Sequence, residues 1–482
     1  MDSPVVTRLF RRLFRHHPTC PSSQNVVRLA TAIQHVRQQR QRAYYSTRGR
    51  GGDAGLTRRN ESNWQQRTML LPTDRSEEYK KYPMVTAHDL RGRAERPRRV
   101  KMLLRDFIDD SLYNPHYGYF SKQAVIFSTG EPFNFPALKD ETEFNALLSR
   151  RYVDFEDSLD AVSPSETRQL WYTPTELFRP YYGEAIARYL VANYKLTTYP
   201  YHDLIIYEMG AGRGTLMTNI LDYIRDMEPA VYARTRYKII EISSQLATIQ
   251  NSQLMRSASG RGHAERVEII NQSIFDWTQT VPSPCFFLAF EVFDNFAHDA
   301  LRYDLETETP LQGTVLIDEN GDFYEFYSPE LDPVAARFLR VRDAATEGRY
   351  KLPYPSSRLG RWLATSRPFA PNLSLPEYIP TRLMEFFDVL GRYFPAHRLL
   401  TSDFHSLPDA IKGLNAPIVQ TRYQRRPVPV STPLVSPPLD MLTNQVEPLA
   451  NLNKRSTRGT LISCSPPTFG YLRQCTRHSL ES

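Results

Sequence analysis

Cysteine is scarce in this chain. Cys20, Cys285, Cys464 and Cys475 are the four among 482 residues, and no C-x-x-C or mixed His/Cys spacing joins them. Neither a disulfide framework nor a zinc site is supported, and no metal is expected. Long apolar runs are missing as well. The most conspicuous one, Cys285 to Phe290, falls far short of the roughly 18 residues of a transmembrane candidate. Lysine is absent from Met1 to Arg50, a stretch that holds ten Arg and a single acid, Asp2. An Arg-rich, acid-poor segment with many Ser, Thr, Gln and His reads as a mitochondrial transit peptide. Its end, Arg42-Ala43-Tyr44-Tyr45-Ser46, resembles a matrix-protease site, so residues 1–46 are expected to be a presequence and the mature protein to lie in the matrix. The competing reading is a basic arm that binds nucleic acid. Beyond residue 50 the chain carries 50 basic against 52 acidic side chains. That balance argues against an RNA-binding face, and no nucleic-acid partner is expected.

What is present centres on Leu204-Ile205-Ile206-Tyr207-Glu208-Met209-Gly210-Ala211-Gly212-Arg213-Gly214-Thr215. The run from Leu204 to Tyr207 reads as a covered parallel strand. Gly210, Gly212 and Gly214 let the backbone turn sharply and let a ligand approach. Leu216, Ile220, Tyr223, Ile224 and Met227 then follow at helical spacing. A strand, a glycine turn and a helix place a ligand outside the carboxyl end of the strand. A phosphate-binding loop needs Lys and Ser or Thr after its last glycine, and here Thr215 and Leu216 follow. A dinucleotide fingerprint spaces its last glycine differently. The pattern E-x-G-x-G-x-G resembles motif I of S-adenosylmethionine-dependent methyltransferases, whose cofactor carries an ammonium, a carboxylate and a sulfonium but no phosphate.

Further strands order the rest. Tyr237–Glu241 ends in an acid where a doubly wound fold holds ribose hydroxyls; a solvated strand-end acid is the plainer alternative. A third strand at Val267–Ile270 leads to Gln272–Trp277, an adenine-edge loop containing Asp276. The fourth, Cys285–Phe290, ends in Glu291 and Asp294. Two acids crowded at a buried strand tip call for a cation or a proton between them. A hairpin is expected over Thr314–Tyr327, an amphipathic helix over 380–394, a fifth strand at Arg398–Asp403 and a sixth at Pro417–Gln420. A helical segment is read from near Val100 to Leu112. The aromatic stretch Tyr113–Phe120 reads either as a packed loop or as a wall over the cofactor. Residues 47–99 read as a disordered basic linker, 121–170 and 332–375 as insertions, and 436–482 as a Pro-rich disordered tail.

Four pieces in this order resemble the MidA-like methyltransferases: Tyr113-Asn114-Pro115-His116-Tyr117-Gly118-Tyr119; Thr173-Pro174-Thr175-Glu176 with Tyr182-Gly183-Glu184-Ala185-Ile186-Ala187; the glycine motif; and Glu291-Val292-Phe293-Asp294. The resemblance covers roughly residues 100–435. It implies an α/β, Rossmann-like methyltransferase fold, a mostly parallel sheet flanked by helices, with insertions. It implies S-adenosyl-L-methionine as cofactor, symmetric dimethylation of an arginine on the 49-kDa-type core subunit of complex I, and a role in assembling that complex. Glu208, Gly210, Gly212, Gly214, Glu241 and Asp276 are the cofactor candidates, with Glu208 ordering the loop and the amino-acid end. Glu291 and Asp294 are the catalytic candidates, as a clamp on the acceptor guanidinium. Three departures stand out: Phe290 occupies the place of a family Asn, the insertion at 121–170 separates two motifs that usually lie closer together, and Val435 gives way to Ser436-Pro437-Pro438. A non-catalytic assembly factor on the same fold, or a methyltransferase of RNA or a small molecule, are the other readings. A homodimer is compatible with the chain.

Overall fold

The computed structural model describes residues 64–65, 74–122, 125–165, 168, 170–366, 372–403, 417–423, 426–429 and 461–464. The expected presequence lies outside them. Strand β1 (Val100–Leu103) leads directly into helix α1 (Leu104–Tyr113). The expected helix therefore starts four residues late. Val100 and Met102 face the core while the backbone pairs antiparallel with Thr314–Ile317, and that long-range ladder overrides the local helical pattern. Helices α2 (Glu141–Val162) and α3 (Tyr181–Thr197) precede the glycine-turn strand β2 (Leu204–Met209) and its helix α4 (Thr215–Met227). Then come β3 (Thr235–Ile240), α5 (Ser244–Arg261), β4 (Val267–Ile270) and β5 (Cys285–Phe290). An antiparallel section follows, β6 (Asp299–Tyr303), β7 (Pro310–Ile317) and β8 (Phe323–Ser328), and then α6 (Pro333–Ala345). The order closes with β9 (Glu377–Ile379), α7 (Thr381–Tyr393) and β10 (His397–Ser402).

Two sheets organise these elements. The first has the order β10-β5-β2-β3-β4, and every pairing is parallel. Its five strands are those read from the sequence, so the α/β fold class holds. On one face α3 and α4 bury Leu190, Ile220, Leu221 and Ile224 against Ile206, Tyr237 and Leu288. On the other, Phe386, Leu390 and Phe394 pack on Tyr207 and Phe287, with the Phe394 ring edge-on to both at 5.2 and 5.3 Å. Each such side chain is worth about 1.5–3 kcal/mol of burial. The second sheet is antiparallel. The expected hairpin is its β7–β8 pair, and β7 also pairs with β1 and β6.

One polar cluster ties the second sheet to two helices. Asp299, fully buried, accepts from Arg105 Nη1 at 2.8 Å, Gln312 Nε2 at 2.9 Å and Thr381 Oγ1 at 2.7 Å. Arg105 Nη2 reaches on to Asp332 at 2.6 Å. A buried carboxylate persists only when paired and hydrogen-bonded in this way.

Two expected readings change, at the linker and at the sixth strand with the tail, while the two insertions gain detail. The linker expected over 47–99 is folded over 76–90. Helix Ser76–Lys81 sets the Tyr79 ring on Phe326 at 4.3 Å, its hydroxyl 2.9 Å from Thr314 Oγ1, and a Thr86 capping box starts helix Ala87–Leu90. The 121–170 insertion is an ordered cap. Val125–Ile126 pairs parallel with Leu170–Trp171, and Phe127 and Phe133 form an aromatic core with Leu170, Leu177 and side chains of α2. Within 332–375, α6 packs Ala335 and Phe338 on Leu301, Ile379 and Met384. Pro417–Tyr423 is a strand, but it pairs antiparallel with Arg426–Pro429 and with Leu461–Cys464 in a separate sheet. The expected sixth strand therefore does not extend the parallel sheet, and the expected tail contains a strand. Among the described residues, no helix is long and apolar enough to cross a membrane, and no cluster of three potential ligands could hold a metal.

Candidate active site

The parallel strands deliver their polar residues to one edge. A cavity of about 1660 Å³ opens there, lined by Glu208, Gly210, Gly212, Glu241, Asp276, Glu291 and Asp294 among others. A single small-molecule site takes roughly 300–1,000 Å³, so this one has room for two ligands side by side. Seven of the eight candidates thus meet in one place. Gly214 does not line the cavity. It precedes α4 with φ +78° and shapes the turn from behind. Gly210 and Gly212 have φ of +71° and +54°, the left-handed region that side chains resist. A Cβ on Gly212 would lie 3.0 Å from Ile126 Cδ1 of the cap, and one on Gly210 would lie 3.2 Å from Val292 Cγ2.

Two acids stand at the tips of β2 and β3. Glu208 accepts from the buried Tyr237 hydroxyl at 2.7 Å, and burial pushes its carboxyl up to about 7, against that hydrogen bond and aided by Glu241. Glu241 is also buried and shifted upward by desolvation. Its Oε1 accepts from Ser243 N–H at 3.0 Å and its Oε2 from Gln250 Nε2 at 2.9 Å. The same Gln250 nitrogen donates to the Gly212 carbonyl at 2.9 Å, so one amide holds the glycine turn against the second strand tip. Gln250 Oε1 is buried without a partner. No sequence signal marks Gln250, since α5 is only weakly amphipathic.

The other pair sits after β5. Glu291 has φ +54°, an uncommon conformation for a side-chain-bearing residue and one found at functional turns. Burial, then Asp294 and Asp403, push its carboxyl up to about 8. Asp294 accepts from Asn295 Nδ2 at 2.7 Å. Asp403, at the end of β10, accepts from the backbone N–H of Phe293 at 2.9 Å and of Asp294 at 3.3 Å, fixing the turn that carries them. Phe290, where the family pattern has Asn, lines the cavity and meets the Tyr182 ring at 6.0 Å. The Glu291 shift has a sign that can be tested. Between pH 4.5 and about 8 the folded protein keeps a proton that the unfolded chain has released, so stability falls as pH rises through that window. We expect Glu291→Gln to raise the thermal midpoint at pH 8.5 by about 2–4 °C, roughly 1 kcal/mol, and to change it little at pH 5. Calorimetry at both pH values checks this; a larger gain at pH 5 would refute the assignment.

Asp276 lines the cavity, but its carboxylate is held by Arg91 Nη1 at 2.8 Å. That partner lies 185 residues away and has no sequence signal. The aromatic stretch divides between its two readings. Tyr119 is packed in the core, whereas Tyr113 and Phe120, stacked at 5.5 Å, face the cavity. The Tyr113 hydroxyl donates to the Asn295 carbonyl at 2.9 Å. Two further groups were not foreseen. Asp109 takes Arg382 Nε at 2.6 Å, and Glu176 stands beside Thr215 at the start of α4. Counted together, eleven carboxylates and four arginines line the cavity. Three of those arginines are already paired with carboxylates.

The left-handed glycine backbone, the close cap over Gly212, the acids at both strand tips and the unpartnered Gln250 oxygen suit a nucleoside that also carries an ammonium group. Comparisons by sequence agree. Residues 185–444 match the sequence profile of the family described as "Putative S-adenosyl-L-methionine-dependent methyltransferase". A curated relative from Schizosaccharomyces pombe, "Protein arginine methyltransferase NDUFAF7 homolog, mitochondrial", is 27% identical over 327 residues, which is 67% of each chain. A crystal structure of a COG1565 superfamily member from Burkholderia thailandensis, bound to S-adenosyl-homocysteine, is 14% identical with a TM-score of 0.46, covering 79% of this chain and 72% of that one. S-adenosyl-L-methionine is the cofactor of this family, and the chain belongs to the MidA-like family of S-adenosyl-L-methionine-dependent methyltransferases.

Proposed function

We propose that this protein methylates arginine side chains of a protein acceptor. The observation that carries the reading is the acidic cavity wall, with Glu291 and Asp294 crowded on one turn beside the glycine loop. Gly210 and Gly212 admit the cofactor, Gly214 and Glu208 order the turn, Glu241 receives the ribose hydroxyls, and Asp276 borders the adenine. When bound, S-adenosyl-L-methionine supplies an electrophilic methyl on its sulfonium.

The remaining task belongs to the chain. Guanidinium stays protonated, with a pKa above about 12, and is a poor nucleophile. Two carboxylates can clamp it bidentately, gather its charge on one side and leave a nitrogen lone pair on the other. Asn295 orients Asp294 for this. A cation beside the pair expels the Glu291 proton, and the resulting carboxylate stands ready for the proton that the methylated nitrogen sheds. Without a cation that carboxyl is pushed up to about 8 by burial and its acidic neighbours, so the arrival of the guanidinium is what sets its charge.

The finer reading is symmetric dimethylation on the 49-kDa-type core subunit of complex I, in the mitochondrial matrix, in support of complex assembly. It rests on the family resemblance, on the mitochondrial relative and on the Arg-rich first 46 residues. The test is incubation of the protein with methyl-labelled cofactor and that recombinant subunit, followed by mass spectrometry. Symmetric dimethylarginine is expected. Label found only on another side chain, or on RNA supplied in parallel, would overturn the reading.

A further inference from the structure

One cavity residue stands outside the roles assigned above. Glu176 belongs to the turn Pro174–Leu177, which Thr173 caps by accepting the Glu176 N–H at 3.3 Å. Its side chain is 3% exposed. Oε1 accepts a hydrogen bond from the Thr215 hydroxyl, the first residue of α4. Oε2 is buried and has no hydrogen-bond partner. Arg179 Nη1 is 4.0 Å from it, too far for a hydrogen bond, and that guanidinium donates instead to the Gly130 carbonyl. A buried carboxylate oxygen left in this state is costly, unless a donor arrives with the ligand.

The surroundings define that donor. Glu176 lines the cavity together with Gly212, Arg213 and Thr215. The 13-residue helix α4 begins at the same corner, and its N-cap, Gly214, offers no side chain to its first N–H groups. A fixed negative charge beside the positive end of a helix complements a zwitterion, an ammonium and a carboxylate on one carbon. Glu208, the acid that the glycine motif nominates for this end, already accepts the Tyr237 hydroxyl and faces Glu241 across the strand tips.

We infer that Glu176 receives the α-ammonium of the cofactor's amino-acid end, while the N-terminus of α4 faces its carboxylate. Glu208 is then an organiser of the strand tip. The inference rests on the cofactor reading of the site and is independent of the acceptor.

Titration calorimetry with two ligands tests it. S-adenosylhomocysteine carries the amino-acid end; methylthioadenosine keeps the nucleoside and the thioether and lacks that end. For Glu176→Gln, S-adenosylhomocysteine should bind roughly thirty-fold more weakly, and methylthioadenosine as it does to wild type. Gln retains an oxygen for Thr215, and a thermal melt verifies the fold. Thr215→Val, which frees the carboxylate from its tether, should show the same selective loss on a smaller scale and serves if Glu176→Gln does not fold. Equal weakening of both ligands would make Glu176 a purely structural residue. Unchanged binding of both, or a selective loss in Glu208→Gln alone, would also overturn the assignment. Wild-type protein that binds neither ligand would instead remove the cofactor reading beneath it.

Discussion

Gly212→Val is expected to abolish cofactor binding, with affinity falling by at least about a hundred-fold, in a protein that still folds. Three effects act together. The residue sits at φ +54°, where a β-branched side chain is a genuine outlier. Its Cβ would start 3.0 Å from Ile126 Cδ1, so the two γ-methyls have only the cap or the cavity to enter. Its carbonyl also receives the Gln250 amide, so a shifted backbone loosens Glu241 as well. The strain is local, on the order of 1–3 kcal/mol, and the sheet behind the turn is deeply packed. Calorimetric titration with S-adenosylhomocysteine, beside a circular-dichroism melt, reads both quantities. Binding within ten-fold of wild type in a folded variant would show that the ligand does not cross this turn.

Asp294→Ala is expected to do the reverse, sparing the cofactor and lowering kcat by about 10²–10³, the usual cost of one preorganised electrostatic group. Asp403 holds the turn through the N–H groups of Phe293 and Asp294, and the substitution leaves both intact. The Asn295 amide loses its nearer acceptor and keeps the Glu291 carbonyl at 3.5 Å, so some loss of stability comes with it. Asp294→Asn keeps the shape without the charge and should lose nearly as much activity. Single-turnover assays on the proposed acceptor separate this from a binding defect. Full methylation by Asp294→Ala would remove the clamp from the mechanism.

The parallel sheet was legible because its strands are short, and its central strands are largely apolar and run into a glycine or an acid. Leu204–Met209, Cys285–Phe290 and the helix spacing of Leu216, Ile220 and Ile224 each speak through local periodicity. Glu208, Glu241, Glu291 and Asp294 followed from their positions at strand tips. What escaped depends on distant partners. Val100–Leu103 is a strand only because β7 lies beside it. Tyr79 and Leu90 anchor a polar, basic segment that composition alone makes look unstructured. Phe127 and Phe133 do the same for the cap. Asp276 met Arg91, and Gln250 found its two acceptors, through pairings that no spacing encodes. Glu176 stood within a recognised motif, but its unpartnered oxygen is visible only in three dimensions.

The Asp299 cluster bears on how such a protein can change over generations. Arg105 lines the cavity while it also neutralises the Asp299 carboxylate in the core, and Asp332, another wall residue, shares the same guanidinium. Removing one member of a buried ion pair costs about 3–5 kcal/mol, a large part of the 5–15 kcal/mol that typically holds a domain folded. A substitution at this part of the wall therefore carries a folding cost as well as a functional one. The cap, by contrast, has an aromatic core of its own and reaches the cavity through Ile126, Leu170, Trp171 and Tyr172. None of these four side chains is a partner in the Asp299 network, so a change at this part of the wall leaves that buried network unbroken.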